Sequence, residues 1–172
     1  MFKIAGVILC IAGSAGYGML KVSGWKSAVK ELEQWILLFE KMKNRIYYRR
    51  DIITDIFCRM DEEIYGICGK YVMAVGCEIK MDRSKDVAQA WRERMEEWKK
   101  NSMLPGEIKK LLMQFPEYIG EQDYEQQISN LDFYLHKLRR EKELLEKELS
   151  NKKKPVMAIS LVSGIVVPIL LL

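Results

Sequence analysis

The sequence predicts an all-α protein: an antiparallel helical bundle flanked by an N-terminal and a C-terminal transmembrane helix. Three observations carry that expectation. Two uncharged apolar runs, residues 4–20 and 155–172, lie at the two ends, and every charged side chain except Lys3 falls between them. Between the runs, apolar residues recur at three- and four-residue steps with almost no two-residue alternation. Proline in that stretch is confined to Pro105 and Pro116. The expected domains are residues 1–22 as the first span, 23–154 as the helical body and 155–172 as the second span.

At the helical rise each run reaches roughly 26 Å, just short of a hydrocarbon core of about 30 Å. The first extends to Phe2 and Val22 when Lys3 and Lys21 snorkel to the interfaces. Lys21, Lys26 and Lys30 follow the first run, and Lys152, Lys153 and Lys154 precede the second. Positive flanks tend to stay in the cytoplasm, so both runs predict the body inside and both tips outside. The rival reading is an exported helical protein whose first run is a signal peptide, cleaved near Gly13-Ser14-Ala15. A single side-chain charge before the run, and apolar residues returning at Tyr17, Met19 and Leu20, favour the retained span. Cys10 follows Val7-Ile8-Leu9, without the small residue of a lipoprotein site. Ala12 with Gly16, and Ser14 with Gly18, fit either a packing surface or small residues tolerated in lipid.

Along the body, Trp25, Val29, Leu32, Ile36, Phe39, Met42 and Ile46 form one stripe, predicting a helix over about 24–50 that continues from the span, with Gly24 as a weak point. Asp51 is the expected cap of a second helix carrying Ile53, Ile56, Phe57 and Met60. Residues 64–79 are apolar, with Tyr71, Val72 and Val75 suggesting helix and Gly66, Gly69 and Gly76 interrupting it. Ser84 is the expected cap of a helix burying Val87, Ala88, Trp91, Met95 and Trp98. Pro105 fits the first turn of another, with Ile108, Leu111, Leu112 and Phe115 inward, and Pro116 ends or kinks it near Phe115. Gly120 marks a turn and Asp123 the cap of the last helix, whose stripe is Tyr124, Ile128, Leu131, Leu135, Leu138, Leu145 and Leu149. From Ile128 the steps resemble a coiled-coil seam, which Lys142 interrupts. Glu143–Lys147 and Glu148–Lys152 are expected surface pairs. That helix is expected to reach Asn151, with Pro155 in the first turn of the second span. Short connections favour antiparallel neighbours, with Trp25, Trp35, Trp91 and Trp98 as large packing residues.

Composition narrows the function. Lys and Arg number 28 against 24 Asp and Glu, interspersed, with no dense basic block of the kind nucleic acid requires. No phosphate-binding glycine loop is present, and no zinc spacing. His136 is the single histidine, so a nucleophilic triad has little to draw on. Asp61-Glu62-Glu63 points in several directions on a helix and reads as solvated surface. Cys58, Cys68 and Cys77 read as buried, reduced thiols in a reducing compartment. The expectation is a binding protein, not an enzyme, with no cofactor and no metal.

The segment Ile119-Gly120-Glu121-Gln122-Asp123-Tyr124-Glu125-Gln126-Gln127-Ile128 resembles the L-G-x-[ST]-D-x-x-x-Q-I signature of the stage III sporulation protein AB family. Other features are similar in order and spacing: an apolar amino terminus, a first long helix ending in Ile46-Tyr47-Tyr48, an Ala90-Trp91 pair before a short leucine-led helix, and a charged helix running into a terminal apolar segment. The resemblance spans essentially the whole chain. Departures are Arg49-Arg50-Asp51 where a proline is common, Pro116 where glycine is usual, and Gln122 for the hydroxyl residue. The resemblance implies a part in endospore formation, within a complex in the mother-cell membrane that faces the forespore. The family is similar to the cytoplasmic helical domains of type II secretion and type IV pilus inner-membrane platforms. By that analogy the chain would dock a cytoplasmic ATPase.

The expected function is therefore a membrane platform or adaptor in a multi-protein complex. The alternative is a self-associating membrane protein, a homo-oligomer whose seam from Ile128 to Leu149 pairs between copies. The expected contact corners are residues 47–51 and 104–106, with Tyr48, Arg49 and Arg50 as contact candidates because exposed aromatics and arginines are favoured at hot spots. Gly120, Asp123 and Gln127 are expected to form a helix-connector turn that sets the angle of the last helix.

Topology is open to direct test. With the native cysteines replaced, Glu97→Cys in intact cells is expected to resist membrane-impermeant thiol reagents. Ready labelling at that position would reverse the orientation and favour export.

Overall fold

The computed structural model describes the backbone of residues 2–60, 62–82, 85–119 and 123–171, and their side chains except at 2–12, 14, 15, 17, 62–65, 160, 161 and 163–171. The chain is all-helical: α1 spans Phe2–Arg49, α2 Ile53–Phe57, α3 Glu62–Met81, α4 Val87–Asn101, α5 Gly106–Met113 and α6 Tyr124–Leu171, with a 3₁₀ turn at Phe115–Tyr118. The contact pattern divides it into two compact units, residues 28–142 and residues 1–27 with 143–172.

In the larger unit the interlocking pairs show the helix directions. Glu33 of α1 meets Lys142 at 2.7 Å, and Lys43 meets Asp132 at 2.6 Å. As the α1 number rises, the α6 number falls, so these helices are antiparallel there. The same rule relates α3 and α4: Glu78 accepts from Arg94 at 2.7 Å, and Asn101 donates to Tyr71 at 3.3 Å. Lys85 joins Glu78 from the connection between them, and the two cations hold the Glu78 carboxyl below its ordinary range.

The core is aromatic. Trp35, Phe39, Phe57, Trp91, Trp98, Phe115 and Tyr134 are fully buried. Phe39 lies 4.5 Å from Phe115 and 5.2 Å from Tyr134 between ring centroids, the second pair edge-on. Polar edges are mostly satisfied: Trp91 donates to the Leu112 carbonyl at 3.1 Å and Tyr134 to the Leu111 carbonyl at 3.2 Å. The expected stripes are buried at Leu32, Ile36, Phe39, Met42 and Ile46 of α1, and at Leu131, Leu135 and Leu138 of α6. α1 also buries Ala28, Trp35 and Leu38, a wider arc than one stripe.

Two glycines are needed where they stand. Gly66 has φ 57° and ψ −144°, a break inside α3, and a Cβ there would sit 2.7 Å from the Gln34 amide nitrogen. A Cβ on Gly76 would lie 2.7 Å from both the Cys58 amide nitrogen and Phe57 Cβ, so α2 and the residue after it rest directly on the α3 backbone.

Several local expectations are corrected. Ile52, not Asp51, takes the N-cap of α2, with extended backbone and no side-chain bond. Met60 lies beyond α2 yet is buried. Asp86 is the N-cap of α4, and Ser84 lies outside the described residues. Pro105 precedes α5 as its N-cap. α5 stops at Met113, ahead of Pro116 as expected, because the proline ring takes a place in the tighter turn that follows. Cys68 is buried, but Cys58 is half-buried and Cys77 exposed; Trp25 is only half-buried. Glu148–Lys152 forms at 3.2 Å, whereas Glu143–Lys147 is not among the ion pairs of the described residues.

In the smaller unit Val22 and Leu145 are buried. Among the described residues no helix is long and apolar enough to cross a membrane. The expected spans, 1–22 and 155–172, are helical over 2–22 and 155–171, but most of their side chains lie outside the described ones, so the structure does not carry the membrane-spanning part of the expectation.

Glu31 ties α1 to the far end of α4. Its carboxylate accepts from Trp98 Nε1 at 2.9 Å and from the Met103 amide at 3.2 Å. Glu31→Ala strands the buried Trp98 indole, while water can take the exposed Met103 amide, and is expected to lower stability by about 1–3 kcal/mol, with Glu31→Gln losing less. Denaturant unfolding followed by tryptophan fluorescence checks this, and an unchanged midpoint for Glu31→Ala would refute it.

Candidate functional site

The expected contact residues lie where α1 ends. The helix stops at Arg49, and Arg50 takes φ 52°, its amide donating back to the Ile46 carbonyl at 3.0 Å. This left-handed cap is normally glycine's, and a side chain there carries a steric cost of about 1–2 kcal/mol. Tertiary contact holds the residue in place: the Arg50 guanidinium lies over the Tyr124 ring, 5.3 Å from its centroid. The Tyr124 hydroxyl in turn donates to the Tyr47 carbonyl.

The chain thus brings together two regions that the sequence treats separately. Arg50 belongs to the first corner, and Tyr124 and Gln127 to the connector before the last helix. With Ile46, Ile52 and Val87 they border one open cavity of about 340 Å³. Asp123 stands directly before α6, and its carbonyl accepts from the Gln127 amide at 3.0 Å. Gly120 lies outside the described residues.

The surface of this corner is apolar and cationic at once. Tyr48 is 78% exposed and Ile52 69%. Tyr47, also exposed, meets Tyr48 edge-on at 4.9 Å. Arg49 is exposed beside them. The second expected corner fares differently: Leu104 is buried, so only Pro105, Gly106 and the neighbouring Met103 face outward there. Position in a helix-ending motif made Tyr48 and Arg49 findable from sequence. Arg50 was named with them, but its left-handed backbone was not foreseeable, because nothing in the sequence distinguishes it from an ordinary helical arginine.

Among the described residues no three His, Cys, Asp or Glu side chains are placed to hold a metal. Burial pushes the Cys68 thiol well up, away from the reactive thiolate, and raises Cys58 as well. The corner offers arginine forks, aromatic faces and an apolar rim, which are means of binding.

The family model for stage III sporulation protein AB matches residues 3–172, and the chain belongs to that family. No curated protein and no solved structure matches it significantly.

The bond Asp123 makes at the start of α6 comes from its backbone carbonyl, which alanine keeps, so Asp123→Ala is expected to cost only about 0.3–1 kcal/mol through the lost negative charge at the helix N-terminus. Thermal unfolding of the purified protein measures it. Full stability combined with failed complex assembly would make the connector a contact site instead of a structural turn.

Proposed function

We propose that this member of the stage III sporulation protein AB family is a non-enzymatic membrane platform. It would be anchored at both ends in the mother-cell membrane facing the forespore, with the helical body in the cytoplasm, where it docks the ATPase of the sporulation complex. The observation that supports docking most is the corner at Tyr48, Arg49 and Arg50: exposed aromatic and guanidinium groups on a backbone held in a strained conformation. Strain of that kind clusters at functional positions. The uncharged terminal runs and their lysine flanks support the anchors. An adaptor needs a rigid face and no tuned acid or base, which fits a body with a single histidine.

Self-association through the α6 seam is less well supported. Leu131, Leu135 and Leu138 are already buried inside the larger unit, and Lys142, which interrupts the seam, is engaged by Glu33 at 2.7 Å. Those side chains leave little of the seam for a second copy.

Affinity capture from membranes of engulfing cells is the test. A cytoplasmic ATPase should be recovered with the tagged protein. Arg49→Glu/Arg50→Glu should reduce that recovery severalfold while circular dichroism and membrane insertion remain unchanged. Undiminished recovery and normal spore formation would remove this corner from the docking surface.

A further inference from the structure

We propose that the face of α1 carrying Lys41, Arg45 and Arg49 is a carboxylate-binding groove that receives an acidic helix of a partner protein. This deepens the docking reading above and rests on it, adding residues one and two turns back from the corner.

The cations stand four residues apart, so they line one face at successive turns. With Asn44 and Tyr48 they border a cavity of about 230 Å³. Like charges at this spacing repel one another, and the helix C-terminus offsets only part of that repulsion. Three other charges of the same helix are matched: Glu33 meets Lys142 at 2.7 Å, Glu40 meets Arg139 at 2.6 Å and Lys43 meets Asp132 at 2.6 Å. Among the described residues no ion pair neutralises Lys41, Arg45 or Arg49.

Arg45 adds an independent observation. Its Nη1 is buried and has no hydrogen-bond partner. A buried guanidinium nitrogen without an acceptor is costly and rare in folded proteins. With essentially no accessible surface, that nitrogen meets an acceptor in the groove only when the Arg45 side chain turns outward to another rotamer.

The spacing identifies the acceptor. Four helical residues rise about 6 Å, so glutamates four apart on a facing helix would meet the cations in register. Arginine forks match carboxylates through paired N–H bonds. The Tyr48 ring gives the glutamate methylenes an apolar surface, and the Asn44 amide can donate and accept beside them. A phospholipid headgroup or a free phosphate carries charge but no such register.

Full-length protein in detergent is titrated with a fluorescein-labelled alanine-based peptide bearing glutamates at i, i+4 and i+8. A scrambled peptide of equal charge, inorganic phosphate and phosphatidylglycerol vesicles run alongside. The in-register peptide should bind at low salt at least tenfold more tightly than the scrambled one. Binding should fall about tenfold in Lys41→Glu/Arg45→Gln. Because Arg45 is partly buried, the exposed single change Lys41→Glu should also weaken binding, with an unchanged unfolding midpoint. Equal affinity for both peptides, or unaltered binding in both variants, would overturn the groove. So would vesicles or phosphate displacing the peptide at concentrations where the protein prefers them. Peptide binding that depends on Lys41, with no ATPase captured by the unaltered protein, would uphold the groove and remove the ATPase reading. Capture that depends on Arg49 and Arg50, with peptide binding indifferent to Lys41 and Arg45, would do the reverse.

Discussion

Phe39 and Phe115 meet at 4.5 Å, and the larger unit is assembled around that contact. Phe39 comes from α1 and Phe115 from the 3₁₀ turn, while Trp91 from α4 and Tyr134 from α6 close on the same pair at 4.9 and 5.4 Å from Phe115. Four separate stretches of chain thus share one set of ring contacts. Fully buried aromatic side chains supply a large apolar area per residue, and their inclined ring contacts, edge-on between Phe39 and Tyr134, restrict how the helices rotate. The short connections follow from that: α5 and the 3₁₀ turn must bring Phe115 inward within a few residues, and Pro116 tightens the backbone where they do so.

Polar groups then fix what the rings leave loose. Trp91 and Tyr134 each reach a carbonyl of α5, at Leu112 and Leu111, so the aromatic cluster holds that short helix by hydrogen bonds as well as by packing. Glu31 performs the corresponding task for the end of α4. The ion pairs along α1 and α6 are partly exposed and add direction more than stability.

The long stripes were legible in the sequence because a helix with one buried face repeats its apolar residues at a fixed period. Leu32, Phe39 and Met42, or Leu131 and Leu138, need no tertiary knowledge. α1 exceeded its single stripe at Trp35 and Leu38 because several helices pack on it, which no one-dimensional pattern records. Caps were misread at Asp51 and Ser84 for a related reason. A polar residue near a helix start is only a candidate, and Ile52 and Asp86 hold the cap positions by backbone conformation, with no side-chain bond. Gly66 was visible as an interruption, but not that Gln34 fills the space where a side chain would stand. At the corner, Tyr48, Arg49 and Arg50 could be named from residue type, whereas the grip of Tyr124 on Tyr47 and Arg50 links residues far apart in sequence.

The indoles of Trp35, Trp91 and Trp98 have an optical consequence. Trp35 lies 6.1 Å from Trp91 and 5.4 Å from Trp98, both at steep ring angles. Chromophores that close share their excited states, so their absorption bands split and acquire rotational strength of their own. Ellipticity in the far ultraviolet will then carry an aromatic contribution on top of the helical signal, and helix content read from that region alone will be biased. Emission from these rings will behave as that of one coupled emitter reporting on the whole core, while half-buried Trp25, in the other unit, emits from a separate environment.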